Sequence, residues 1–123
     1  MARHRSKPFG EALREKRVAK GFSLRKFALL VGVSPTYLSQ VEQGNVDPPT
    51  ADRVKRMADL LGENPDEWIA LAGRVAEDLP EIIREKTEVP ELLRAVRGLT
   101  AEQLRKLRGD AEQMKKGNTK EEK

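Results

Sequence analysis

Apolar residues along this chain recur at three- and four-residue spacing, and nowhere do β-branched or aromatic residues alternate over a useful length. The pattern predicts helices throughout, hence an all-α fold. A first helix is expected over 9–19, with Phe9, Ala12, Leu13 and the stem of Lys16 on one face. Gly21 behind it suits a left-handed C-terminal position. Ser23 is placed to cap a second helix over 24–31, in which Leu24, Phe27, Ala28 and Val31 repeat at helical spacing. A third helix over 35–43 is opened by Ser34-Pro35 and closed by Gly44. Pro48 and Pro49 forbid helix between it and a fourth, which Thr50 is expected to cap and which runs through Leu61. Val54, Met57, Ala58 and Leu61 form its inward face. Asn64-Pro65-Asp66-Glu67 has the arrangement of a capping box for a fifth helix carrying Trp68, Ile69, Leu71 and Ala72, which stops near Gly73.

These five short helices span 9–73 and read as one compact unit, preceded by a basic flexible arm at 1–8. The segment 74–114 differs in character: three further short helices are expected there, each with a narrow apolar stripe. The last begins with a second capping box, Thr100 with Gln103, and a hydrophobic staple, Leu99 with Leu104. Ile82, Ile83, Leu92, Leu93, Val96, Leu99, Leu104 and Leu107 are too few to close a core of their own. They need a partner surface, either the first unit or the same segment of a second chain, so 74–114 is expected to serve dimerisation or regulation. The polar run 115–123 is expected to be disordered.

Charge sharpens the division. Residues 1–62 hold 12 Lys/Arg and 6 Asp/Glu, whereas residues 63–123 hold 12 and 14, so the positive field sits on the first unit. Such a concentration is the footprint of a polyanion binder, or simply a solvated surface. With aromatics at 4%, the core must come mainly from Leu, Val, Ile and Ala. No cysteine is present, which removes disulfides and thiolate metal sites. The single histidine, His4, lies in the basic arm, so neither a metal site nor catalysis is expected, and no cofactor. No apolar run approaches the ~20 residues that span a bilayer, and the basic start is not followed by the apolar stretch of a secretory signal. A cytoplasmic protein is expected.

The third helix poses the functional question. At 100° per residue, Leu38 and Val41 face inward, while Thr36, Ser39, Gln40 and Gln43 lie opposite with Tyr37 at the flank. A face meant only for water usually carries Lys and Glu. Neutral hydrogen-bonding side chains suit base edges in a major groove instead: glutamine bonds bidentately to adenine, and Ser or Thr donates or accepts. Gly32 and Ser34-Pro35 leave so short a connection from the second helix that the two must cross steeply. Val33 and Leu38 form a staple that sets the angle.

The stretch GFSLRKFALLVGVSPTYLSQVEQG, residues 21–44, resembles the helix-turn-helix of Cro/repressor-type (XRE family) transcriptional regulators. The likeness rests on Ala28, on Gly32 and Val33 at the turn, on Leu38 and Val41, and on the closing Glu42-Gln43-Gly44, and it extends over about 9–73. It implies a five-helix repressor-like domain whose third helix enters operator DNA, bound as a two-fold homodimer to a palindromic site. By resemblance the base-reading positions fall on Thr36 and Gln40, with Pro35 and Ser39 adjacent. Ser34, Tyr37, Arg25, Lys26, Gln43 and Ser23 are the candidates for the DNA backbone, although the Tyr37 ring could equally pack against the second helix. Arg17 and Glu42 are expected to form a structural pair. The arm residues Arg3, Arg5 and Lys7 either track DNA or form a merely disordered start.

Two departures from the family pattern stand out. Leu24 occupies a position where the family commonly has a glutamine that bonds a phosphate and braces a recognition-helix glutamine. Pro35 replaces a base-reading glutamine. Fewer direct base contacts are then expected, with more of the specificity on Gln40 and the rest from DNA shape. The function expected is a sequence-specific regulator, most simply a repressor, acting on the nucleoid. The alternative is an antitoxin or a repressor controlled through its C-terminal segment by a partner toxin or metallopeptidase.

Overall fold

A computed structural model of the chain describes the backbone of residues 2–121 and the side chains of residues 8–118. The described residues form α1 (Ala2–Ala19), α2 (Leu24–Val31), α3 (Pro35–Gln43), α4 (Ala51–Leu61), α5 (Pro65–Leu71), α6 (Leu79–Glu85), α7 (Glu88–Ala95) and α8 (Ala101–Glu121). None of them lies in a strand, so the all-α reading holds. The helices divide into two units, the first ending at Pro80 and the second starting at Glu81. Among the described residues no helix is long and apolar enough to cross a membrane.

In the first unit α1 to α5 enclose one core. Phe9 and Leu13 come from α1, Phe27, Ala28 and Val31 from α2, and Leu38 and Val41 from α3. Val54, Met57, Ala58 and Leu61 come from α4, and Trp68 and Ile69 from α5. The inward positions expected from periodicity in α4 are all among them. Phe9 and Trp68 meet edge to face with centroids 5.8 Å apart, a favoured aromatic geometry that ties α1 to α5. Phe22, in the connection after α1, leans on Phe27 at 5.5 Å.

One contact in this core is invisible to hydrophobic patterning. Gly10 sits where a Cβ would collide with the backbone carbonyl oxygens of Val41 and Glu42. The missing side chain is what lets α1 lie directly against the C-terminal turn of α3.

Several boundaries differ from the sequence expectation. α1 begins at Ala2 rather than near Phe9, so the segment expected to be a flexible arm has a helical backbone, with Pro8 inside the helix. Ala, Arg and Lys in this stretch are good helix formers that extend a helix nucleated by the docked Phe9–Leu13 turn. Pro8 supplies no N–H, so the ladder loses a bond there. The side chains of Arg3, Arg5 and Lys7 lie outside the described residues. Thr50 takes the extended N-cap conformation before α4 but makes no side-chain capping bond. The acid Asp52 stands in that first turn, where the helix dipole favours negative charge. The first unit also runs past Gly73, because Arg74 reaches back to bond the carbonyls of Pro49 (3.0 Å) and Pro48. Ala76 packs on the core as well.

In the second unit Thr100 and Gln103 form a reciprocal capping box: Gln103 N donates to Thr100 Oγ1 at 3.1 Å and Thr100 N to Gln103 Oε1 at 3.0 Å. Ile83, Val96 and Leu99 are half-buried, whereas Ile82, Leu92, Leu93, Leu104 and Leu107 are exposed. Among the described residues, the helices of this unit therefore bring no buried residue of their own. Where the sequence suggests disorder from residue 115, α8 continues through Glu121. Its capped start and a run of strong helix formers such as Ala111, Glu112, Gln113, Met114 and Lys115 carry propagation along the chain.

Candidate nucleic-acid interface

The two helices at the centre of the first unit are joined through a tightly specified turn. Ser23 caps α2 by accepting the Lys26 N–H at 3.1 Å. Gly32 ends it in the left-handed region at φ 85°, and the Val33 N–H reaches back to Ala28 O at 3.0 Å. Such a turn-back favours glycine at the left-handed residue. Two residues later Ser34 caps α3, accepting the Tyr37 N–H at 3.1 Å, with Pro35 at the first helical position. From α4, Arg53 donates to Gly32 O at 3.0 Å and Arg56 to Leu30 O at 2.8 Å. Sequence reading assigned neither role: these residues look like ordinary surface charge, but they satisfy carbonyls at the end of α2 and brace the turn from outside.

The placement of α3 against α1 is fixed by an ion pair. Arg17 Nε donates to Glu42 Oε2 at 2.6 Å and Nη2 to Oε1 at 3.0 Å, a bidentate arrangement. Nη1 donates to Phe22 O at 2.7 Å. Both side chains are close to fully buried, with 10% and 5% of their surface exposed. With Gly10 allowing close approach, this pair positions α3 without using any residue of its outer face.

That outer face is free of the core. Pro35 and Thr36 are exposed, Ser39 and Gln40 are half-buried, and Gln43 is exposed. Tyr37 is half-buried with its ring against the core, as is Leu24, the residue standing in for the family's glutamine. Ser23, Arg25, Lys26 and Ser34 are exposed around the N-termini of α2 and α3. No acid occupies the first turn of either helix, so both positive helix ends stay open to anions. On the α1 side the face is bounded by a groove lined by Glu11, Arg14, Glu15 and Val18 with Ser39 and Gln43. Asn45, which sequence reading passed over, donates from Nδ2 to Gln40 Oε1 at 3.0 Å and to Gln43 Oε1 at 3.2 Å. An asparagine just after a helix-closing glycine was the only signal for it.

Two capped helices, a glycine turn and a buried lock between the first and third helices make a helix-turn-helix. Residues 13–68 match the family model HTH_3, helix-turn-helix. This segment is a helix-turn-helix of the HTH_3 family. The assignment agrees with the resemblance drawn from residues 21–44.

A Bacillus subtilis (strain 168) protein, described as an uncharacterized HTH-type transcriptional regulator, RghRB, is similar to this helix-turn-helix chain. It is 33% identical over 81 residues, which cover 66% of this chain and 58% of that protein. The chain thus matches little more than half of its relative's length. Solved structures similar to this chain include the clp gene regulator ClgR from C. glutamicum. That match has 30% identity, covers 56% of this chain and 88% of that one, and gives a TM-score of 0.48. A further match is the restriction-modification controller protein C.AhdI from Aeromonas hydrophila, at 35% identity. It covers 49% of this chain and 86% of that one, with a TM-score of 0.44.

Proposed function

We propose that the chain is a sequence-specific transcriptional regulator, acting as a repressor, that inserts α3 into the major groove of operator DNA. The observation that carries the reading is the division of labour within α3. Leu38, Val41 and Glu42 are buried, while Thr36, Ser39, Gln40 and Gln43 present short neutral donors and acceptors on the opposite side. Thr36, Ser39, Gln40 and the adjacent Pro35 meet base edges. Ser23, Arg25, Lys26, Ser34, Tyr37 and Gln43 surround them and contact phosphates, which set register without reading sequence. The basic residues Arg3, Arg5 and Lys7 extend the phosphate contacts along the duplex.

Binding as a homodimer to a palindromic operator is part of the proposal. The second unit supports it: Leu92 at 60%, Leu93 at 47% and Leu107 at 42% exposure leave apolar surface that a second copy can cover. The protein then works in the cytoplasm, on the nucleoid. Selection of bound sequences from a random DNA pool tests the reading. The expected product is an inverted repeat with half-sites about one helical turn apart. Recovery of unrelated sequences, bound with one common affinity, would refute it.

A further inference from the structure

Gln40 does not extend freely from α3. The left-handed Gly44 at φ 75° folds the chain back, and the Asn45 N–H closes on Gln40 O at 3.0 Å. This places the Asn45 side chain beside the last turn. Its Nδ2 then donates to Gln40 Oε1 at 3.0 Å and to Gln43 Oε1 at 3.2 Å. Gln43 Nε2 in turn donates to Ser39 Oγ at 2.9 Å. Asparagine Nδ2 has two hydrogens, and both glutamine oxygens are its targets. Gln40 is held by its oxygen, while its Nε2 meets no hydrogen-bond partner among the described residues.

We propose that Asn45 is a specificity-positioning residue that sets the direction of the Gln40 amide before DNA arrives; the inference rests on the base-reading role proposed above. Held by Oε1, Gln40 turns its Nε2 hydrogens toward the base edges and keeps a second lone pair on Oε1. Nε2 then donates to N7 while Oε1 accepts from N6, and adenine alone offers that pair of groups on its major-groove edge. The brace also fixes a long side chain in advance, so less rotamer freedom is lost on binding. Leu24, packed against the core, offers no hydrogen bond, so the brace comes from beyond the C-terminus of α3 rather than from α2. Ser39 and Gln43 complete the chain of bonds and keep Asn45 itself in place.

Selection from a random DNA pool, run in parallel on the full chain and on Gln40→Ala, Asn45→Ala and the double variant, separates the two ideas. Circular dichroism first establishes that each variant is folded. For the wild type, adenine is expected at one position of each half-site. Gln40→Ala relaxes that position, lowering its discrimination by roughly tenfold. Asn45→Ala relaxes the same position and leaves the others sharp. The double variant is no more relaxed than Gln40→Ala, because Asn45 acts through Gln40. If Gln40→Ala relaxes one position and Asn45→Ala leaves it unchanged, the positioning role is overturned and the base-reading role stands. Loss across all positions in Asn45→Ala would mark a general structural effect and overturn it too. A wild type that selects no sequence refutes the base-reading role itself, and the positioning role with it.

Discussion

Replacing Arg17 by alanine removes three hydrogen bonds at once and strands the carboxylate of Glu42 in a site where 5% of its surface is exposed. Breaking a buried pair from one side costs about 3–5 kcal/mol, since the remaining charge is left uncompensated. The loss of a donor for Phe22 O adds to this. For a domain of this size about 1 kcal/mol shifts the melting temperature by roughly 4–8 °C, so a fall of at least ~12 °C is expected. Glu42→Gln breaks the pair from the other side and should cost a similar amount, at the lower end of about 3–5 kcal/mol, because the buried Arg17 cation loses its counter-charge while one amide oxygen still accepts a bond. The double replacement Arg17→Leu with Glu42→Leu removes both charges and should recover much of the loss. Urea unfolding followed through Trp68, the only tryptophan in the chain and 5% exposed, reports these values directly. A loss below about 1 kcal/mol for Arg17→Ala would mean that the pair behaves as a screened surface contact. A double variant as unstable as the sum of Arg17→Leu and Glu42→Leu made singly would show no coupling and refute the reasoning.

Other expectations follow from the same geometry. Gly10→Ala should destabilise the first unit by about 1–3 kcal/mol, because its methyl group meets the backbone of Val41 and Glu42 rather than a movable side chain; the same urea titration checks it. Arg25→Ala should weaken binding to all DNA sequences alike and reduce the slope of log affinity against log salt by about one; gel-shift titration at several salt concentrations measures both. A chain ending at Pro80 keeps the Arg74 bonds to the Pro48 and Pro49 carbonyls, so its Trp68 signal should match that of the full chain. Light scattering should show that shortened chain to be monomeric where the full chain is dimeric.

Much of the first unit was legible because its signals are local. A serine before a proline announces the start of α3, a glycine after an apolar repeat announces the end of α2, and four inward positions in α4 follow from periodicity. The pairing of Arg17 with Glu42, 25 residues apart, came from family resemblance, not from any pattern in the residues. What escaped depends on tertiary placement. Gly10 looks like a weak helix residue until α3 is seen against it. Arg53, Arg56 and Arg74 look like solvated charge until the carbonyls they serve are located. Asn45 looks like a loop residue until Gly44 turns it toward Gln40. The helical backbone at Ala2 and the continuation of α8 to Glu121 show a related limit: composition alone does not tell where a helix stops.

Gel-shift titration of Gln40→Ala against a selected operator and against random DNA tests most directly whether α3 reads sequence. Specific affinity should fall by about 1–3 kcal/mol, with non-specific affinity and its salt dependence unchanged. Equal losses on both DNAs would contradict base reading by Gln40.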